Sequence, residues 1–418
     1  MGGAESAPVF DGLPPVEVHA YMTNPDRRSR KLKHLLRANH LNHSVMYSRM
    51  RFHNHMPHIL GSAYLLGADE DHLQTIYDVE HESLEPWVDA PHELTIDNWR
   101  EVLGDRRFQL AYLDFFEDEL VKNGYDWKKV AIDYMMKEPR PLLHGAACGL
   151  GHPLIHLGYA FELDSPEIAM EALTLSTTNW NFLHKYLDRE PIPPPTTSTK
   201  DPLELLERIR NDKRFDGLFN QPGPDNMYAL FEKQESGVLE YYRALDMSDQ
   251  VTAHRLLTRA GVLLLTATHT PGSPSYDFFI CHLLTTAYAV RILLPVLPPE
   301  AAMPMLHGHW LFFIVVYINQ LRPPVRRELV DEVDLKGRSW DDVIKHGLRQ
   351  KGVEDTHYLK SIRTMKESAK LWKDEDEFYL KAATKIAWEF DGWAGFGPKN
   401  EDEREDTSRK QNIKMNVS

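Results

Sequence analysis

Apolar residues recur at helical spacing through almost the whole chain, and this pattern limits the fold more than any other feature. It is carried by the segments near residues 25–37, 45–67, 106–121, 142–163, 166–186, 227–245, 275–295, 299–321, 338–350, 355–371 and 375–391. Period-two alternation is scarce, and no repeat of fixed period runs through the sequence. The prediction is therefore all-α, a large single-domain multi-helix bundle. The Pro-rich stretch Pro191-Ile192-Pro193-Pro194-Pro195-Thr196-Thr197 divides the chain near its middle. It reads as a long surface loop rather than a domain linker, because histidine clusters lie on both sides of it. The expected organisation is a flexible N-terminal segment 1–23, a helical domain 24–395 and a charged, disordered tail 396–418.

A net charge of -14 argues against nucleic acid as a partner, since phosphate binding needs a basic surface. The basic run Arg27, Arg28, Arg30, Lys31 and Lys33 falls on a predicted helix beside His34 and Leu35 and reads as its solvated face. The two cysteines, Cys148 and Cys281, form no CxxC pair, which removes a cysteine zinc site. Both lie in apolar stretches and read as buried thiols of a reducing compartment, so a cytoplasmic protein is expected. The most apolar run, Trp310 to Ile318, is roughly half a bilayer-spanning length, and no stable membrane association is expected.

Histidine is the unusual residue: there are 21, and they cluster as His53, His55 and His58, as His152 and His156, and as His307 and His309. In Phe52-His53-Asn54-His55-Met56-Pro57-His58, a helical reading puts His55 and His58 on one face, and Ile59, Ala63 and Leu66 point that helix into the core. In Leu150-Gly151-His152-Pro153-Leu154-Ile155-His156, the two histidines are again one turn apart, beside small residues that permit close approach. His282 sits inside one of the most apolar helices of the chain. His357 falls in the first turn of a helix capped by Asp355, with Lys360 on the same face. A lone core histidine is more often a hydrogen-bonded core residue than a ligand. Each motif is weak by itself; four on separate helices point to a metal, because buried imidazoles need partners.

The absent motifs narrow the chemistry. No His-Glu-x-x-His occurs, which removes the common zinc protease arrangement. No His-Asp dipeptide occurs either. Glu354 and His357 form the one Glu-x-x-His pair, where a di-iron carboxylate bundle needs two. The remaining option is a mononuclear, imidazole-rich site suited to iron, copper or zinc.

The four motifs occur in an order that resembles the questin oxidase-like family. They are His53-Asn54-His55-Met56-Pro57-His58; Gly151-His152-Pro153-Leu154-Ile155-His156-Leu157-Gly158-Tyr159; His282 followed by Ala289-Val290-Arg291-Ile292-Leu293-Leu294-Pro295; and Asp355-Thr356-His357-Tyr358-Leu359-Lys360. The resemblance runs from about Asn39 to Trp388. That family includes fungal enzymes that oxidise anthraquinones or related polyketides with O2 and open a ring. The resemblance implies Fe(II) held by four histidines and a lysine carboxylated on its side-chain nitrogen. Carried over motif by motif, the ligands are His55, His152, His282, His357 and Lys360. His58 and His156 are the alternative ligands of their motifs and are placed instead beside the substrate, as candidates to take a phenolic proton.

A CO2-derived carbamate on Lys360 is chemically reasonable: burial lowers the amine's pKa, and the carbamate then supplies the anion of a His-carboxylate iron site. The other reading of Lys360 is an ordinary helix lysine paired with Asp355 or Glu354. The implied partners are a small aromatic polyketide and O2, in secondary metabolite biosynthesis. The pocket is expected to be large and aromatic, with Tyr64, Tyr159, Trp310 and Phe313 as candidates to contact a flat substrate. One rival is a Baeyer–Villiger-type or hydroxylating monooxygenase drawing on an external reductant such as NADPH; no flavin or Rossmann fingerprint supports a bound one. A second is a non-catalytic helical metal-binding scaffold.

Overall fold

The computed structural model describes residues 12–188, 195, 197–349, 355–374 and 376–397. The Pro-rich stretch up to Pro194, Glu354, and the tail from residue 398 lie outside the described residues. The first half of the described chain forms α1 Arg27–Asn42, α2 Met56–Leu65, α3 Glu70–Glu80, α4 Gln109–Lys122, α5 Trp127–Met136, α6 His152–Leu163, α7 Pro166–Thr178 and α8 Pro202–Asn211. The second half forms α9 Asn226–Ala244, α10 Gln250–Thr266, α11 Phe278–Leu293, α12 Ala302–Asn319, α13 Glu328–Asp331, α14 Trp340–Arg349, α15 Thr356–Trp372 and α16 Phe378–Glu389. Strand structure among the described residues is confined to two short pairs. β1 Met46–Tyr47 and β2 Phe52–His53 are antiparallel; β3 Tyr276–Asp277 and β4 Trp393–Ala394 are parallel. The fold is all-α, as the apolar periodicity predicts.

Helix α11 is the axis of the bundle, with α6, α10, α12 and α15 packed around it. That explains its sequence: a helix covered on all sides is apolar on all sides. Close packing of α6 on α11 depends on Gly158, where a Cβ would come 3.2 Å from the Cα of Ala289. Behind the site, buried Arg363 of α15 is ion-paired with Glu162 of α6, and the Tyr288 hydroxyl of α11 donates to the same carboxylate at 2.7 Å. This network ties together three of the four elements that carry the histidine motifs.

The helix running from Pro299 to Asn319 is long and apolar enough to cross a membrane by length and composition, yet 83% of its apolar window is buried in the bundle. Its apolar run therefore serves the core. In the segment expected to be flexible, Leu13 and Tyr21 are buried and the Tyr21 hydroxyl meets Ser165 at 3.0 Å, so the described part packs on the α6–α7 corner.

Two helix starts lie later than the periodicity suggests. The segment near 45–67 opens as a hairpin, because Ser48, Arg49 and Met50 all adopt positive φ, and α2 begins only at Met56 with Pro57 in its first turn. The segment near 142–163 opens as two 3-10 turns, because Gly149, Leu150 and Gly151 are left-handed, and α6 begins at His152.

Candidate metal centre

Both late starts place a histidine where a helix begins. His55 is the N-cap of α2, and His152 is the first residue of α6. His357 lies in the first turn of α15, whose N-cap Asp355 accepts from the amides of His357 and Tyr358 at 2.9 and 3.0 Å. His282 lies one turn into α11, whose N-cap Asp277 accepts from the amides of Phe279 and Ile280. The four helix starts converge, and the ring nitrogens of His55, His152, His282 and His357 lie within 4.8 Å of one another. Ligand–metal distances of about 2.0–2.1 Å put opposite ligands about 4 Å apart, so the group is sized for one transition metal ion.

Neighbouring groups fix each of these histidines. Asn54 bonds Asn39 Oδ1 through its side-chain amide at 2.9 Å and receives the Met56 amide at 2.9 Å, which holds the β2–α2 corner. Gly151 has φ +72, and a Cβ there would meet Thr286 Oγ1 at 2.2 Å, so only glycine lets His152 come this close to α11. His152 Nδ1 donates to the carbonyl of Gly149 at 2.6 Å, and His282 Nδ1 to that of Phe278 at 2.8 Å. These bonds leave both Nε2 atoms unprotonated and aimed inward, as in sites where a carbonyl sets a ligand's tautomer. The Nε2 atoms of His55 and His152 are 2.8 Å apart, and those of His282 and His357 are 3.1 Å apart. Both separations are short enough for one cation to be shared between the rings of each pair.

Burial sets the electrostatics. It holds the pKa of His55, His58, His152 and His282 well below the ordinary imidazole value, helped by neighbouring positive charge that includes Lys360. Burial also lowers His53 to about 3 and Lys360 to about 8. Asp355, one of the two acids expected to pair with Lys360, is instead occupied by the helix cap and by the indole of Trp393 at 2.7 Å. No ion pair to Lys360 occurs among the described residues. Its Nζ lies 3.5 Å from His58 Nδ1.

His58 and His156 stand behind this group. His58 Nε2 meets His156 Nδ1 at 2.7 Å, and His156 Nε2 faces Glu171 Oε2 at 3.4 Å. Glu171 also holds His40 at 2.8 Å, and His40 reaches Glu117 at 2.9 Å. Burial alone would raise the Glu171 carboxyl, but the nearby His156 ring and the hydrogen bond with His40 outweigh it and hold the group at about 2. His40 is the mirror case: burial lowers it, and the two glutamates outweigh that and raise it to about 10.

Of the candidate substrate contacts, the structure brings Tyr159 to the site, stacked on His58 with ring centroids 5.1 Å apart and its hydroxyl on Ser62 at 2.5 Å. Tyr64 lies at the α1 side, with its hydroxyl 2.7 Å from Ser29 and Arg28 over its ring. Trp310 and Phe313 are fully buried core residues of α12, packed with Tyr241 and His309. A large aromatic pocket is not what lies beside Lys360. There, Ile155, Tyr159, Thr285, Arg363 and Thr364 help line a cavity of about 10 Å³, room for a single water. The residual opening is on another side: His53, His55 and His357 keep 7–8% exposure, whereas His58, His152, His156 and His282 keep 0–1%. On that side Phe278 packs on His357 and on Phe396, with ring centroids 4.5 and 5.0 Å away. The sequence reading missed Phe278, Glu171, His40 and Glu117. An acid inside the apolar run Ala169-Met170-Glu171-Ala172-Leu173 is the one signal that marks Glu171.

A family model described as questin oxidase-like matches residues 52–365, a span that contains every residue of the histidine group and Lys360. The chain belongs to the questin oxidase-like family. Its relatives in that family include a questin oxidase of Aspergillus fumigatus, 25% identical over 373 residues and covering 82% of each chain. They also include the Baeyer-Villiger oxidase mdpL of Emericella nidulans, 25% identical over 297 residues and 65% of each chain. A third, the Baeyer-Villiger oxidase GME11358 of Pestalotiopsis microspora, is 22% identical over 364 residues and 79% of each chain. By name, all three are oxidases.

Proposed function

We propose that this protein is a metal-dependent oxygenase that uses O2 to open a ring of an anthraquinone-type polyketide in secondary metabolism. The ligands in this reading are His55, His152, His282, His357 and Lys360 carboxylated on Nζ, around Fe(II). The observation that carries it is the convergence of four buried imidazoles within 4.8 Å, with no carboxylate in the group and a buried lysine beside them. Four neutral imidazoles leave the full charge of a divalent ion uncompensated in a low-dielectric site. A carbamate on Lys360 supplies the missing anion, and burial favours the neutral amine from which it forms.

The bound ion would supply O2 activation, which side chains alone do not perform. The protein's own groups bind and orient the substrate, exclude water and manage protons. A flat substrate enters on the side of His55 and His357, where Phe278 and Phe396 offer aromatic faces. Tyr159 stacks on the His58 ring, which stands behind the histidine group beside Lys360 and so supports the site rather than meeting a substrate on the entry side. The cytoplasmic setting expected from the free cysteines belongs to this proposal too.

A second reading keeps the same site and changes the reaction. The names of two relatives favour Baeyer–Villiger oxygen insertion, with a reductant such as NADPH supplying two electrons. One experiment separates them: turnover of an anthraquinone under ¹⁸O₂, with and without NADPH, by anaerobically purified protein assayed for metal. About one iron per chain, two labelled oxygens in the product and no need for NADPH support ring-opening dioxygenation. One labelled oxygen with strict NADPH dependence supports insertion. A protein that takes up no Fe(II) and consumes no O2 with any quinol refutes both and leaves the metal-binding scaffold.

A further inference from the structure

After α16 the chain turns back over the histidine group. Residues 390–397 read Phe-Asp-Gly-Trp-Ala-Gly-Phe-Gly, with an aromatic side chain at every third position. The segment lies beyond residues 52–365, the span matched by the family model. Its backbone is fixed along the start of α11, because β4 pairs with β3 and sets Trp393 beside Tyr276 and Ala394 beside Asp277. Gly395 has φ +96, and a Cβ there would collide with the Asp277 carboxylate, so only glycine lets the strand lie this close. The Gln320 amide spans the same junction, donating to Asp277 Oδ2 at 3.1 Å and to the Gly395 carbonyl at 3.2 Å.

From this anchor the segment reaches His357 by two routes. The Trp393 indole N–H donates to Asp355 Oδ2 at 2.7 Å, while Asp355 Oδ1 accepts the amides of His357 and Tyr358. One carboxylate thus joins the segment to the first turn of α15. The second route is packing: Phe396 lies on Phe278 with ring centroids 5.0 Å apart, and Phe278 lies on the His357 ring at 4.5 Å. Trp393 closes the group, edge-on to Phe278 and to His357 with centroids 6.1 Å from each. Phe396 is 42% exposed, so its contribution to the core is small, and its packing is directed at Phe278 and, at 5.5 Å, Phe279.

We propose that the segment Phe390–Gly397 is a clip that positions His357 for the metal, with Trp393 acting through the Asp355 cap and Phe396 through the ring of Phe278. The inference rests on the reading of His55, His152, His282 and His357 as ligands of one ion. Trp393 and Phe396 are positioning residues in this role, since each acts on His357 through another side chain. The clip also links the mouth of the site to the ion. His357 keeps 7% exposure there, whereas His152 and His282 keep 0–1%. A flat ring pressed on Phe278 from the mouth therefore bears on the His357 ring before any other ligand.

The test uses the full chain, freed of metal and titrated with Co(II), whose visible d–d bands report the geometry of its ligands. Wild type is compared with Trp393→Phe, which keeps a ring but loses the N–H, and with Phe396→Ala and Phe396→Tyr. The expected result is Co(II) affinity lower by about tenfold in Trp393→Phe and in Phe396→Ala, the low end of what losing the support of a metal ligand costs, together with altered bands. Phe396→Tyr keeps the ring and should restore both affinity and bands. Wild-type affinity and bands in Phe396→Ala overturn the clip and leave the metal site intact. Lower affinity with unchanged bands also overturns it, because the protein would then be loosened without any ligand being misplaced. Phe396 is partly exposed, so the two variants at that position decide the matter whether or not Trp393→Phe folds. A wild-type chain that binds no Co(II) overturns the ligand reading and the clip with it.

Discussion

Without a metal in the histidine group, this protein should be acid-labile near neutrality, and the size of the effect follows from the buried imidazoles. Five histidines, His53, His55, His58, His152 and His282, are held neutral in the fold by burial, against an ordinary value of 6.5. Each folded pKa lies below its unfolded value, so the unfolded chain binds more protons as pH falls. Their contribution is present above pH 6.5 and is lost below it. Between pH 7.0 and 5.5 each costs somewhat over ~1 kcal/mol, or about 6 kcal/mol for the five. His40 opposes this: its folded pKa of about 10 lies above the unfolded value, which returns about 1 kcal/mol over the same interval. Glu171, at about 2, begins to matter only below its ordinary value of 4.5. The net loss of about 5 kcal/mol compares with a total stability of about 5–15 kcal/mol for a typical domain. Scanning calorimetry of chelator-treated protein should show a midpoint lower by roughly 5–10 °C at pH 5.5 than at pH 7.0. Saturating Zn(II) at pH 7.0 should raise the midpoint, because a metal occupies the same lone pairs. A shift under about 2 °C between the two pH values would mean that the cluster is not neutral and buried, and the metal argument would fall with it.

Other perturbations test the supports of the site. Lys360→Ala should abolish turnover and weaken iron loading; full iron with full turnover would refute the ligand assignment. Gly151→Ala forces a left-handed residue to carry a Cβ against Thr286, at a cost of about 1–2 kcal/mol for the backbone and more for the clash, and His152 should lose its place. Elemental analysis should show reduced metal content, and normal loading would show that α6 tolerates the shift. Asp355→Ala removes the α15 cap and the Trp393 contact, so a loss of about 1 kcal/mol or more is expected in urea unfolding, with weaker metal affinity. Glu162→Gln leaves buried Arg363 without its countercharge, and a loss of about 3–5 kcal/mol is expected by the same assay.

The histidine motifs were legible in sequence for a physical reason. An imidazole on an apolar helical stripe conflicts with its surroundings, and four such conflicts on separate helices point to one shared solution. The fold class was legible for the same reason, since apolar periodicity survives any detail of packing. What stayed hidden depended on backbone and distance. Helical spacing put His55 and His58 on one face, but the left-handed turn at Ser48–Met50 delays α2 and makes His55 a cap. The two rings therefore diverge, His55 into the metal group and His58 toward His156. Trp310 and Phe313 look like a substrate wall in sequence because an apolar helix reads alike whether it faces a ligand or a core. Glu171, His40 and Glu117 could not be joined by any spacing rule, because α1, α4 and α7 meet only in the folded bundle. The clustered histidines announce themselves by residue type, whereas Glu171, His40 and Glu117 are ordinary acids and a histidine made unusual only by position. That difference explains why a reading by motif reaches the four clustered histidines and stops short of the polar side chains packed behind them.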